Sequence, residues 1–154
     1  MRMTTLGVGL ALVATAALGF AAGTATKKVG VMMAPADEKW EPLTKESPLQ
    51  KVALWGDRDK GPDYGMLLKL PAGTHAGMHA HTADYYAVNV QGTWVHTFEG
   101  GQPKEIAPGG YVFQPGTQMH DDECKGTQDC ILFVHQHGKG DFIPAKPAAE
   151  PAKK

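Results

Sequence analysis

The stretch that decides the fold is residues 71–94, which read PAGTHAGMHAHTADYYAVNVQGTW. It contains three of the seven histidines of the chain, His75, His79 and His81. Alternate residues of a β-strand project to the same face, so His79 and His81 are placed to bind one metal ion together. Two ligands do not complete a metal site, and a third is therefore expected from a different strand.

The best candidate for that third ligand is His120. It ends the sequence QPGTQMH and follows the Pro115–Gly116 turn, as a ligand at the mouth of a barrel would. Neutral imidazole binds Zn, Fe, Mn, Ni and Cu with differing affinity, so a divalent transition metal is predicted without choosing among them. Three protein ligands with one open position are typical of a catalytic metal site rather than a structural one.

Length and charge exclude several classes of protein. The chain has 154 residues and a formal net charge of -1, which fits one domain and gives no basic patch. Arginine occurs only at Arg2 and Arg58, and the lysines are scattered, so nucleic acid is not expected as a partner. The predicted partner is a small-molecule ligand or substrate.

Glycine and proline punctuate the middle of the chain and predict an all-β fold. The 19 Gly and 11 Pro separate about eight short runs rich in β-formers, spaced near ten residues apart. Such a rhythm is typical of an antiparallel sandwich or barrel. The predicted strands cover residues 51–55, 64–70, 85–91, 93–99, 104–107, 111–114, a short segment at His120, and 130–136.

The N-terminus is interpreted as a secretory signal peptide, residues 1–23. Arg2 precedes an apolar run from 6 to 20, and small residues follow it. The alternative is an uncleaved anchor, but the run is short for a bilayer span, which takes roughly 20 residues. A periplasmic or secreted protein is therefore predicted, with no membrane attachment after cleavage. Residues 24–48 are interpreted as an extended arm and residues 144–154 as a disordered tail.

Export gives the two cysteines a predicted role. Cys124 and Cys130 flank the turn-like sequence KGTQD, so they could face each other across a hairpin and form a disulfide in an oxidising compartment. Free thiols and a redox pair are the alternatives, although the spacing is not CxxC. Cys124 could also be a metal ligand, because it lies four residues after His120.

Both histidine motifs resemble those of the cupin superfamily. Gly73, His79-Ala-His81 and Gly92 stand in the frame of the first cupin motif, with Tyr85 at the position of its glutamate. In the second motif, the frame is matched by Gly109, Pro115, His120 and Cys124, with Thr117 at a glycine position and Cys124 where asparagine often stands. The resemblance implies a single cupin-type antiparallel β-barrel, a jelly-roll-like double-stranded β-helix, over residues 49–143 behind the N-terminal arm. It also implies His79, His81 and His120 as metal ligands.

The departure at Tyr85 leaves the fourth ligand open. Asp84 is a carboxylate, but it is one residue out of register and would need a bulge to reach the metal. The Tyr85 phenolate, His75 or water are the other candidates, and an open three-histidine site is the leading version.

Other residues are predicted to surround the site or to lie outside it. His75 is interpreted as a loop histidine at the pocket, while His96, Asp121 and Trp94 are candidates for the pocket wall or for orienting the ligands. Asp122 could also orient a ligand, although the sequence Asp-Asp-Glu at 121–123 is more typical of a solvated turn. His135 and His137 alternate on the last strand and therefore share a face, which favours packing or a dimer surface.

A narrower similarity is to bacterial DUF4437 and ChrR-like cupins. The resemblance implies a metal-dependent enzyme acting on a small molecule, as an oxygenase, isomerase or lyase. The alternative is a non-catalytic module that binds or senses a metal or a small ligand. A third possibility is a structural barrel with a vestigial site. Cupin barrels often pair through their sheets, so a homodimer is also expected.

Overall fold

The computed structural model describes residues 29–146. The chain divides into a unit of residues 1–32 and a unit of residues 33–154, and all the elements below belong to the second unit. The predicted signal peptide and residues 147–154 of the predicted tail lie outside the described residues. Within the described range, no helix is long and apolar enough to cross a membrane.

Strands make up nearly all the regular structure of the described residues. A 3₁₀ turn at Pro35–Asp37 comes first. The strands follow in chain order: β1 (Glu41–Pro42), β2 (Gln50–Gly56), β3 (Asp63–Leu70), β4 (His79–Ala80), β5 (Tyr85–Gln91), β6 (Thr93–Phe98), β7 (Lys104–Ile106), β8 (Tyr111–Gln114), β9 (His120–Lys125), β10 (Cys130–His137) and β11 (Ile143–Pro144). The predicted strands are confirmed, with boundaries that differ by one to a few residues.

The strands form two antiparallel sheets, which confirms the predicted all-β, jelly-roll-like fold. The order is β1-β2-β3-β10-β5-β8 in the six-stranded sheet and β11-β4-β9-β6-β7 in the five-stranded sheet. β3, β10 and β5 lie side by side in the centre of the first sheet, although about sixty residues of chain separate β3 from β10. Such long connections between neighbouring strands are typical of Greek-key barrels rather than simple meanders.

Strict alternation along the strands sorts apolar residues into the interior. On β10, Leu132, Val134 and Gln136 are buried while the residues between them are partly exposed. On β3, Gly65 is buried under Trp55 on the outer face, and its neighbours Tyr64 and Met66 are buried on the inner face. Since side chains two apart share a face, these residues line the inside of the six-stranded sheet. From the five-stranded sheet, Trp94, Ile106 and Cys124 complete the core.

The N-terminal arm runs along its own barrel. Glu41 and Pro42 pair with β2, and Leu43 packs against the hydrophobic core. The Lys69 ammonium lies 3.9 Å from the centre of the Trp40 ring, a cation–π contact that holds this part of the arm. At the other end of the barrel domain, β11 spans the predicted boundary at residue 143 and pairs with β4.

The predicted disulfide between Cys124 and Cys130 is present. The hairpin expected around it is not, because Cys124 lies on β9 of the five-stranded sheet and Cys130 on β10 of the six-stranded sheet. The bond therefore joins the two sheets at one end of the barrel. Both cysteines are fully buried in the core. A loop this short contributes roughly 2 kcal/mol on the chain-entropy argument.

Gly92 turns β5 into β6 directly beside this disulfide. Its φ is +81°, and a Cβ added there would lie 2.8 Å from the Asp129 carbonyl oxygen and 2.9 Å from the Cys130 sulfur. Gly100, in the next turn, has a similar φ of +72° but open space around it. Position 92 therefore requires glycine both for its backbone conformation and for lack of space, whereas position 100 requires it only for its backbone conformation.

We expect Gly92→Ala to destabilise the protein by at least about 2 kcal/mol, because left-handed backbone strain and overpacking add. Gly100→Ala carries only the backbone strain and should cost about 1 kcal/mol. Urea denaturation of both variants measures the difference. Equal losses of stability in the two variants would contradict the close packing at Gly92.

Candidate metal centre

Three histidines meet inside the barrel, where β4 reaches β9. His79 and His120 are cross-strand partners, and His81 follows His79 by two residues. Their ring centres are 4.2 Å apart for His79 and His120, 5.2 Å for His81 and His120, and 5.0 Å for His79 and His81. One nitrogen from each ring lies within 4.8 Å of the other two. The two sequence motifs, forty residues apart, are thus brought to one point.

Each of these imidazoles is oriented by a backbone carbonyl. Nδ1 of His79 donates to the Gly77 oxygen at 2.7 Å, and Nδ1 of His81 donates to the Asp141 oxygen at 2.6 Å. Nδ1 of His120 donates more weakly to the Gln118 oxygen, at 3.3 Å. A neutral imidazole that donates through Nδ1 carries its free lone pair on Nε2. The three Nε2 atoms are thereby prepared as metal ligands.

Burial keeps two of the three histidines, His120 and His81, neutral. It lowers the pKa of His120 to about 4, and it lowers the pKa of His81 as well. Both rings are therefore uncharged near neutral pH. A metal can bind only the deprotonated nitrogen, so no proton has to leave these two rings first.

Asp122 places a carboxylate beside the three imidazoles. It lies on β9, two residues after His120 and on the same face. Its Oδ1 accepts hydrogen bonds from Trp94 Nε1 at 2.7 Å and His96 Nδ1 at 2.8 Å. Its Oδ2 lies 3.5 Å from His120 Nε2 and 3.9 Å from His79 Nε2.

The Asp122 carboxyl is ionised in this setting. Burial opposes its ionisation, but the hydrogen bond that His96 donates holds the pKa of Asp122 below its usual value. The interior therefore carries a negative charge next to the three imidazoles. This donor set fits a divalent transition metal in chemistry and in charge.

The two residues considered for the fourth ligand differ in where they point. Asp84 faces away from the histidines, and its Oδ1 accepts the Gly116 amide at 2.6 Å. Tyr85 is buried and donates its hydroxyl toward His120 Nε2 at 3.3 Å. Burial raises the pKa of Tyr85 well above its usual value, so this group is a neutral phenol. It can donate a hydrogen bond into the site.

The remaining predicted residues divide between the site and the surface. Trp94 and His96 are buried and donate hydrogen bonds to Asp122, and the His96 ring also packs against His120 with ring centres 5.3 Å apart. His75 is exposed and lines the cavity beside the site, as predicted, and it donates from Nε2 to Asp121 at 2.6 Å, outside the cluster of three. Asp121 therefore stabilises a surface loop rather than a ligand.

Sequence reasoning understated Asp122 and missed the segment that closes the site. The alternation His120-x-Asp122 repeats that of His79-x-His81, and this signal could have assigned Asp122 to the interior. Asp141 and Phe142 carry no such signal. The Asp141 carboxylate accepts hydrogen bonds from Thr82. Phe142 stacks on His79 with ring centres 4.4 Å apart.

A cavity of about 450 Å³ adjoins the histidines. Apolar side chains of the six-stranded sheet and of the arm form most of its wall, among them Met66, Leu70 and Leu132. His79, His81 and Asp122 reach it from the other side, and Tyr85 reaches it from β5 of the six-stranded sheet. His79 and His81 therefore line a space large enough for a small organic molecule.

Solved structures of known proteins share this architecture. KdgF from Halomonas sp. is similar over 73% of this chain and 98% of its own, at 18% identity and a TM-score of 0.57. The DMSP lyase DddQ from Ruegeria pomeroyi is similar over 75% of this chain and 64% of its own, at 20% identity and a TM-score of 0.58. An RmlC-like cupin from Ralstonia eutropha is similar over 70% of this chain and 68% of its own, at 23% identity and a TM-score of 0.56.

These likenesses and the double-sheet barrel show that the chain has a cupin-type fold. It belongs to the DUF4437 family, a domain of unknown function whose model matches residues 28–142. No curated protein matches the chain. The identities are low enough that the solved structures establish the fold alone.

The lowered pKa values predict how stability depends on pH once metal is removed. An unfolded histidine has a pKa near 6.5. As pH falls from about 6.5 to 4, the unfolded chain takes up protons that folded His120 and His81 do not, so the free energy of unfolding decreases. Chemical denaturation of chelator-treated protein across this range measures the slope.

His120→Gln should flatten that slope, because glutamine does not titrate. His75→Gln is the matched control. The pKa of His75 is raised by its hydrogen bond to Asp121, so its contribution has the opposite sign and its loss should not flatten the slope. If the pH dependence of the free energy of unfolding were unchanged in His120→Gln, the conclusion that the buried His120 ring is uncharged would be contradicted.

Proposed function

We propose that the protein is a metal-dependent enzyme that acts on a small molecule inside the barrel, with His79, His81 and His120 as the metal ligands. One observation carries the proposal. Three buried imidazoles, each oriented through Nδ1 by a backbone carbonyl, direct their nitrogens to one point beside a cavity. Orientation of this kind is expected where a ligand set must be held ready for a metal.

Asp122 supplies the carboxylate that the cupin pattern places at position 85. Its Oδ2 faces His79 and His120, while Trp94 and His96 hold Oδ1 in place. With Asp122 the site offers three nitrogens and one oxygen, a set that Zn, Fe, Mn, Ni and Cu can all accept. A metal held there would act as a Lewis acid toward an oxygen of the bound molecule.

The cavity favours a ligand with an apolar body and an anionic group. Its wall is mainly aliphatic, but Arg58 also lines it, with a side chain only 13% exposed. Tyr64 lies on the same wall and donates its hydroxyl to Gln136 at 2.6 Å. A carboxylate on the ligand could meet the Arg58 guanidinium. The neutral phenol of Tyr85 is placed to donate a hydrogen bond at the other end.

Oxygenase, isomerase and lyase chemistry all remain within this proposal. The DMSP lyase among the structural neighbours shares the fold, and the cupin fold does not select a reaction. The choice depends on the ligand and the metal, both of which are experimental questions.

A non-catalytic metal or small-ligand binding module is the second candidate. The observation that favours it is the enclosure of His79 and His120, which are 3% and 0% exposed. Phe142 stacks on His79 and covers it further. A site with ligands so enclosed also suits storage or sensing of a metal.

Export and dimerisation remain parts of the proposal. The disulfide supports an oxidising compartment, and therefore a periplasmic or secreted protein. The N-terminal residue of the protein isolated from the periplasm would test the cleavage after residue 23. On the six-stranded sheet, exposed aromatic side chains at Trp55, Tyr111 and Phe113 support a homodimer. Light scattering of the purified protein would test it.

His120→Ala should abolish tight metal binding at the three-histidine site while the fold is retained. The test is metal analysis of tag-free protein purified from its natural compartment, with circular dichroism as the check on folding. His75→Ala is the control, because His75 lies outside the cluster of three histidines, and it should keep its metal. Metal-free wild-type protein, or equal metal in His120→Ala, would rule out the proposed site.

Turnover then separates the two candidate functions. Oxygen uptake and product formation are measured against a panel of small carboxylated and hydroxylated compounds. Turnover that the wild type shows and His120→Ala lacks supports an enzyme. Binding of a panel compound without turnover supports the binding module.

Asp122→Asn should weaken metal affinity by about 10–100-fold, the usual effect of losing an interaction that tunes a metal site. The change removes the negative charge and keeps the size of the side chain. Asp121→Asn is the matched control, because the Asp121 carboxylate is next to Asp122 in the chain but pairs with the exposed His75. Calorimetric titration with Zn²⁺ measures both variants. Equal affinities would show that Asp122 neither ligates nor tunes the metal.

A further inference from the structure

We propose that the chain carries a second transition-metal site, made by Asp63, His135 and His137 on the outer face of the six-stranded sheet. Asp63 opens β3 and His137 ends β10, and the two are cross-strand partners. His135 lies two residues before His137 and therefore projects to the same face. The residue between them, Gln136, is buried on the inner face.

The donor atoms of this outer cluster already converge. Asp63 Oδ1 accepts a hydrogen bond from His135 Nε2 at 2.6 Å and lies 3.0 Å from His137 Nδ1. All three residues offer a ligand atom within 4.8 Å of the others, and the two ring centres are 4.5 Å apart. A metal would replace the protons that these groups now share.

The outer cluster repeats the construction of the inner one. In the inner site, His79 pairs across strands with His120, and His81 adds the ligand two residues along. In the outer cluster, His137 pairs with Asp63, and His135 adds the ligand two residues along. The same pairing of antiparallel strands thus creates both ligand sets. In the outer cluster, the Asp63 carboxylate replaces one of the three imidazoles.

Aromatic packing holds the outer histidines in place. The His135 ring lies 5.8 Å from the Trp55 ring and 6.0 Å from the Tyr86 ring, and Tyr86 also contacts His137 edge-on at 5.8 Å. Trp55 in turn covers Gly65, where any Cβ would collide with its indole. Side chains so confined lose less conformational freedom when they bind a ligand.

Exposure distinguishes the function of the outer site from that of the inner one. The Asp63 and His137 side chains are 46% and 57% exposed, so a metal there would keep open positions toward solvent. Two imidazoles and one carboxylate suit Zn²⁺, Ni²⁺ or Cu²⁺. Ion pairing that only stabilises the strand ends is the competing explanation, and it requires no metal.

The test counts metal equivalents per chain. Tag-free, full-length protein is stripped with a chelator and titrated with Zn²⁺ in a calorimeter. We expect two equivalents for the wild type and one for His137→Ala and for Asp63→Asn. His75→Ala is the matched control, because it removes an exposed histidine that pairs with a single aspartate, and it should keep two equivalents.

A second readout locates the metal. Cu²⁺ bound at the outer cluster should quench Trp55 fluorescence, because Trp55 packs on His135. Subtracting the signal of Trp55→Phe isolates that quenching, which His137→Ala should abolish and His120→Ala should leave intact. The proposal is overturned if His137→Ala and Asp63→Asn bind as many equivalents as the wild type.

The variants also keep the two proposals distinguishable. His120→Ala should lose the inner equivalent and keep the outer one. Loss of an equivalent in His137→Ala but not in His120→Ala would support the outer site and reject the proposed function. Loss of an equivalent in His120→Ala but not in His137→Ala would support the proposed function and reject the outer site.

Discussion

The interior of this barrel is organised around one buried charge, the carboxylate of Asp122. An ionised group inside a protein is very costly unless hydrogen bonds and opposite charge compensate it. Trp94 and His96 on β6 supply two hydrogen bonds to Oδ1, and this pins the two strands at one register. Oδ2 is left facing His79 and His120. A cation bound beside the imidazoles, as proposed above, would complete the compensation.

The two sheets present different kinds of side chain to the cavity. The five-stranded sheet presents the histidines and Asp122, while the six-stranded sheet presents mainly apolar residues such as Met66 and Leu132. A polar wall and an apolar wall thus face each other across the cavity, which orients a ligand that has both characters. The disulfide joins the sheets at one end, so their separation is held there by a covalent bond.

Much of the fold was predictable because its signals are local. Gly92 and the Pro–Gly turns mark where strands end, and alternation marks which side chains are buried. The histidine pair at 79 and 81 follows from the same alternation. The hairpin expected around Cys124 and Cys130 was wrong because a short spacing says nothing about which sheet each strand joins. β9 and β10 follow each other in the chain but belong to opposite sheets.

The candidate site was only partly predictable for the same reason. Asp122 stands in an acidic run that is typical of a solvated turn, and only its place on β9 beside Trp94 and His96 puts it inside the barrel. Asp141 and Phe142 lie sixty residues from the histidines that they contact. The sequence by itself determined the strands, their inward faces and the three candidate ligands, because these depend on neighbours in the chain. The tertiary structure decided the carboxylate, the closing segment and the outer cluster at Asp63, because each needs strands distant in sequence to pair in one register.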